Sequence, residues 1–237
     1  MPAIKWFTAL TTIVLCVAGC QAGSSADLDF GNPSVSSLNT FAEVRRDPQR
    51  DTVISAKSNA LGQELEGEEV YRRLVSQAAY EELAAYFLYA YRVDLRLSDP
   101  REELVSSGIN VDSIGYRQIR FNQLYKKLPV IDSQLIVQFD QAGRMNLLQG
   151  RYAPTPALGS LIPSMSEDQV TQIATLRYGA ATKIDSLRIV VFPDERGRAF
   201  LAYELLVNQG QPGGLRIILD ANTGNELRKT PTSYSGR

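Results

Sequence analysis

The chain has 237 residues, 44% of them hydrophobic, with 25 Lys and Arg against 26 Asp and Glu and no histidine at all. That is enough apolar material for one large core or two small ones, and the near-neutral balance lacks the cationic excess that nucleic-acid binding requires. Without histidine, a serine or cysteine lacks its commonest activating base and zinc lacks a principal ligand.

The chain opens MPAIKWFTALTTIVLCVAGC, with Lys5 as the only charge before an apolar run from Trp6 to Val17. The run is too short to span a bilayer and ends in small residues, so residues 1–19 read as an export signal. Val17-Ala18-Gly19-Cys20 resembles the lipobox of bacterial lipoproteins. That resemblance implies cleavage before Cys20, acylation of its thiol and attachment of the exported protein to a membrane. Gln21, not aspartate, follows the cysteine, which in the same terms points to the outer membrane where a cell has two. Cys16 would leave with the signal, so no thiol is expected to remain for a disulfide or a metal. Residues 20–40, rich in Ser, Gly, Ala and Asn, read as a flexible tether.

From Leu61 to Tyr91 apolar residues recur at helical spacing behind Glu64, Glu66, Glu68 and Glu69, which suit a helix N-terminus; Gly67 is a possible break. Tyr71, Tyr80, Tyr86, Tyr89 and Tyr91 read as packing against a sheet with hydroxyls at the rim, not as a binding stripe. After Asp99-Pro100 a short acidic turn through Glu102 and Glu103 leads to Gly108. Ile119 and Phe121 then alternate with Gln118, Arg120 and Asn122, and Leu135, Val137 and Phe139 repeat the pattern; Gly143 falls in a turn before a third strand to Arg151. Pro129 cannot donate to a ladder and is expected at an edge or bend between the first two strands. Residues 153–163, with three prolines, read as a linker. Ser164 or Ser166 starts an amphipathic helix through Val170, Ile173, Ala174 and Tyr178, followed by strands Leu187–Phe192, Phe200–Asn208 and Leu215–Asp220. The expected fold is therefore α+β, with two small units, each a helix on an antiparallel meander.

Residues 83–151 resemble the FTP domain, named for the propeptides of fungalysin and thermolysin, whose strand runs Thr-His-x-Arg-Phe-x-Gln-x-Tyr-x-Gly-x-Pro-Val. Arg120, Phe121, Gln123, Tyr125, Pro129 and Val130 match it, as do Gly143 and Gly150 further on; Gln118 stands for the family's histidine and Lys127 for its glycine. Residues 164–228 resemble a PepSY domain, which ends Asp-Ala-x-Thr-Gly. Here that ending is Asp220, Ala221, Asn222, Thr223 and Gly224, and Tyr203 stands where the family often has tryptophan. The resemblance implies a cystatin-like fold for each unit: a helical region plus FTP-like domain at 41–152, a PepSY-like domain at 164–228 and a tail at 229–237.

In the protease precursors a zinc domain with His-Glu-x-x-His follows these domains; the 237 residues contain no histidine, so that zinc site is not expected within them. The resemblance thus implies a propeptide-like module that binds, inhibits or helps fold a secreted or envelope metallopeptidase in trans, with no cofactor. Glu81 with Glu82, Glu102 with Glu103, and Asp194 with Glu195 are the candidate acid/base pairs, and all read as solvated charge rather than catalysts. The tail from Thr230 to Arg237 is either a frayed end or a strand laid across a protease cleft. The alternative function is a non-inhibitory envelope scaffold that binds peptide, polysaccharide or another envelope protein.

Overall fold

The computed structural model describes residues 29–179, 182–208 and 214–232. The expected signal peptide, Cys20 and the last five residues lie outside them. Residues 29–40, read as tether, are docked: Phe30 packs edge-on against Tyr86 with ring centroids 5.3 Å apart, and Leu38 is buried in α1 (Leu38–Phe41). Two short strands follow, β1 (Glu43–Arg46) and β2 (Val53–Lys57), in a region expected to be helical. They are too short and too charged to show a period of two.

The helical stretch from Leu61 to Tyr91 breaks twice. A single 3-10 turn at Gln63–Leu65 precedes Gly67, then come α2 (Glu69–Ser76) and α3 (Tyr80–Ala90). The second break is at Ala78, whose φ of 51° is left-handed, a conformation that crowds any Cβ. Helix α3 is apolar on almost every side because it is enclosed: Leu83, Ala84, Tyr86, Phe87 and Leu88 are all buried. Burial pushes the Tyr86 hydroxyl pKa up to about 12. Helices α4 (Arg92–Leu95) and α5 (Pro100–Glu103) lead into the sheet, α5 capped by Asp99, whose side chain accepts from the Arg101 amide.

Strands β3 (Leu104–Val111), β4 (Arg117–Tyr125), β5 (Leu128–Phe139) and β6 (Met145–Arg151) form an antiparallel meander. With β2 and β1 beyond β6, the order on this side is β3-β4-β5-β6-β2-β1. Ile119, Phe121, Leu135, Val137, Phe139 and Leu148 face the helices, and each such side chain taken from water is worth about 1.5–3 kcal/mol. The β4–β5 hairpin turns on Lys126 and Lys127, both at positive φ (48° and 72°). This is the left-handed pair that two-residue hairpins favour, so Lys127 keeps the conformation that glycine would adopt more cheaply. Pro129 stands second in β5, opposite Leu124.

The second half begins with α6 (Glu167–Tyr178). Ser166 accepts from the Gln169 amide while the Gln169 side chain accepts from the Ser166 amide, a closed capping box. Then β7 (Lys183–Pro193), β8 (Ala199–Asn208), β9 (Gly214–Asp220) and β10 (Glu226–Thr232) form a second meander. Strand β10 takes in Lys229–Thr232, which the sequence reading assigned to the tail; Pro231 is tolerated there because β10 is an edge.

The halves meet through β5, where Val130 pairs in parallel with Val191 of β7, so the ten strands form one sheet. Tyr125, Val130, Ala153 and Val191 make a small buried cluster at this joint, with Leu158 and Leu161 of the three-proline segment packed on it. That segment is irregular, and Leu158 and Leu161 pin it to residues of both halves.

Gly150 lies so close to β5 that a Cβ there would come 2.1 Å from the Gln134 carbonyl oxygen. Gly150→Ala is therefore expected to cost about 3 kcal/mol in urea unfolding. Ala78→Gly, at the left-handed break, is expected to gain about 0.5 kcal/mol in the same measurement.

Candidate binding surface

The strand that carries the FTP-like motif divides its residues between the core and the joint. Phe121 enters the helical core and Tyr125 the cluster between the halves. Gln123 is buried and acts as a peptide mimic: its Nε2 donates to the Ala153 carbonyl at 2.8 Å, and the Ala153 amide donates to its Oε1 at 3.0 Å. Gly143 takes a φ of 80° in a turn that Asp140 closes by accepting from the Arg144 amide, and a Cβ there would lie 3.2 Å from the Tyr80 hydroxyl. Arg120 is exposed on the open face of the sheet.

In the second half Asp220 accepts from the amides of Asn222 and Thr223 at 2.8 and 2.9 Å, an Asx turn. The Thr223 hydroxyl accepts from the Asn225 amide. Gly224, at a φ of 69°, sits under α6, where a Cβ would meet Ile173 at 2.7 Å. The Tyr203 hydroxyl donates to the Met165 carbonyl at 2.8 Å. These residues thus fix the start of α6 against the end of β9.

Two surfaces flank the first meander among the described residues. The face of the first sheet away from the helices carries rows of amides. Gln118 donates to Gln138 at 3.0 Å and Gln138 to Asn146 at 3.2 Å; beside them Arg120 donates to Gln134 at 3.0 Å and Gln134 to Asn122 at 3.3 Å. A shallow groove of about 720 Å³ crosses this face, with Glu43, Arg45 and Lys57 among its lining residues.

The second surface is a cleft of about 860 Å³ between α3, α5, β3 and the β4–β5 hairpin. Glu81, Glu82, Glu102 and Glu103, two pairs read separately in the sequence, line this one cleft. Glu103 is buried and occupied, accepting from the amides of Ser98 and Asp99 at 2.8 Å each and from the Thr155 hydroxyl. The third pair is apart from it. Asp194 binds Arg198 in the β7–β8 turn at 2.7 Å, and the backbone carbonyls of Asp194 and Glu195 accept from Arg50. Among the described residues no group of three acidic or thiol side chains is placed to hold a metal ion.

Residues 102–152, the stretch from the end of α5 through β6 to Tyr152, match the Fungalysin/Thermolysin Propeptide Motif. The chain is 29% identical over 135 residues to the transglutaminase-activating metalloprotease of Streptomyces mobaraensis, covering 54% of this chain and 18% of that protein. It is 29% identical over 170 residues to a thermolysin of Bacillus caldolyticus, covering 66% and 31%. Against bacillolysin of Bacillus subtilis strain 168 it is 22% identical over 143 residues, covering 55% and 27%. The chain therefore spans less than a third of the length of these curated relatives. Among solved structures, the C-terminal domain of Bacillus megaterium YpeB aligns at 16% identity and a TM-score of 0.35, covering 66% of this chain and 65% of that one.

Replacing Gln123 by alanine would leave the Ala153 amide and carbonyl buried without partners, so Gln123→Ala is expected to cost about 3 kcal/mol in urea unfolding. Acid should also destabilise the fold. Hydrogen bonds from Arg101 hold the Asp99 carboxyl below its ordinary value of 3.8. The Asp194 carboxyl is lowered as well, because bonds from Arg198 and its turn outweigh burial, which pulls it up. Both carboxyls have folded values below their unfolded ones. Their stabilisation is thus complete above about pH 4 and is lost as pH falls through the folded values. A urea midpoint that declines only below about pH 4, and declines less in Arg101→Ala, is the expected record.

Proposed function

We propose that this chain is a propeptide-like binding protein for an extracytoplasmic thermolysin-like metallopeptidase, restraining the enzyme or assisting its folding in trans. One observation carries the reading: the match falls on a propeptide motif, and the residues that define it here build the meander and its joint. The alignments to three metalloproteases support the choice of partner. The role is non-catalytic, since a sequence without histidine cannot supply a His-Glu-x-x-His zinc site. In this reading the two halves are an FTP-like and a PepSY-like unit of cystatin-like form. The protein is exported, cleaved before Cys20 and held at the envelope by a lipid on that cysteine.

The test is direct. A soluble form beginning at Gln21 is added to a purified thermolysin-like protease and, separately, to the same protease during refolding from denaturant. Saturable inhibition, or a recovery of refolded activity raised severalfold, is the expected result. The absence of both would overturn the reading. Labelling with a palmitate analogue in cells, present for the wild type and absent for Cys20→Ala, checks the anchor.

A further inference from the structure

Among the described residues three strands of the ten-stranded sheet have a neighbour on one side only: β1, β10 and β3. The first two carry the usual guards against a foreign strand. Strand β1 is four residues long with Glu43, Arg45 and Arg46; β10 carries Glu226, Arg228, Lys229 and Pro231. Strand β3, Leu-Val-Ser-Ser-Gly-Ile-Asn-Val, has no charge in eight residues, and exposes Val105, Ile109 and Val111 at 46%, 44% and 57%. Its one guard is a bulge between Ser106 and Gly108, with the Ser107 hydroxyl donating back to the Arg120 carbonyl.

The acidic cleft adjoins the start of this edge, with Leu104, Val105, Phe121 and Tyr125 in its lining. Of its five carboxylates, Asp99 is taken by Arg101 at 2.6 Å and Glu103 by its backbone and Thr155 donors. Glu81, Glu82 and Glu102 form no ion pair among the described residues. Lys126 and Lys127 stand on the hairpin side. An unguarded strand supplies main-chain pairing, its exposed valines and isoleucine supply apolar contact, and the free carboxylates select a positive charge at one end.

The geometry points to β3 and the adjoining cleft as a docking site for an extended cationic segment of another polypeptide, which pairs with the β3 edge and sets a lysine or arginine over Glu81, Glu82 and Glu102. This goes beyond the metallopeptidase reading and does not depend on it.

The probe is the peptide acetyl-Lys-Val-Thr-Val-Thr-Val-amide, labelled for fluorescence anisotropy, against a copy with Glu in place of Lys. The lysine peptide is expected to bind about tenfold tighter, and to slow hydrogen exchange of the amides from Gly108 to Val111. Ile109→Lys should weaken it about tenfold. If that variant has a changed circular dichroism spectrum, Asn110→Lys, at an exposed edge position, takes its place. Glu81→Gln with Glu102→Gln should remove the preference for lysine over glutamate. Equal binding of both peptides, undiminished binding to the edge variants, no binding, or a dimer in sedimentation that the edge variants dissolve would each overturn the proposal.

Discussion

Strand β5 must serve both halves of the sheet at once, and the left-handed turn of its backbone at Asp132 (φ 56°) lets it do so. From Gln134 to Phe139 it is a central strand between β4 and β6; before the turn, Val130 reaches β7. Val130 and Ile131 are consecutive and both buried, which a half-exposed strand does not allow. Val130 fills the cluster at the joint, whereas Ile131 lies with Val190, Phe192, Ala202 and Ile218 on the back of the second sheet. The Asp132 carboxylate then accepts from Arg216 at 2.7 Å and from Arg228. Arg216 also binds Glu204, a buried carboxylate shared with Arg188. A charge buried to that degree needs partners, and here each acid has two.

The parts of this architecture that rest on local repetition were legible. Alternation at Ile119, Phe121, Leu135, Val137 and Phe139 marked two strands with one buried face, and a serine before an acidic turn marked the start of α6. Strand β3 was not legible, because its bulge interrupts the period of two and it read as a turn leading to Gly108. Gln123 was matched as a motif residue, but its work was hidden: nothing near position 123 shows that Ala153 needs a donor and an acceptor. The meeting of Glu81 and Glu82 with Glu102 and Glu103 depends on how α3 packs against the end of α5. Periodicity reports which face is buried and says nothing about what lies opposite.

That division bears on how the propeptide motif is understood. Its members here include a core ring, a peptide clamp, a joint tyrosine and two glycines that permit close approach or a turn. They preserve a shape first, and Phe121 and Tyr125 reach the outside only as lining of the acidic cleft, Gly150 only as lining of the groove on the open face. Arg120 is exposed, and it is held in the amide rows of the open face. The open face and the acidic cleft lie on different sides of the meander, which allows one surface to engage a partner while the other stays accessible.

Arg50 shows why the halves act as one body. Its guanidinium is buried, and it has no carboxylate within ion-pair range among the described residues. It donates instead to three backbone carbonyls, those of Tyr152 at 3.5 Å, Asp194 at 2.7 Å and Glu195 at 3.4 Å. Burial lowers its pKa, yet an arginine so placed stays charged, and carbonyl dipoles must replace the water it has lost. Two of those carbonyls belong to the β7–β8 turn and one to the end of the first meander. Parting the halves would strip a buried cation of its acceptors, besides breaking the Val130–Val191 pairing and the bonds to Asp132. The two meanders are thus tied by one backbone pairing, by a buried arginine and by the arginines that Asp132 accepts from, contacts that lie far apart along the sequence.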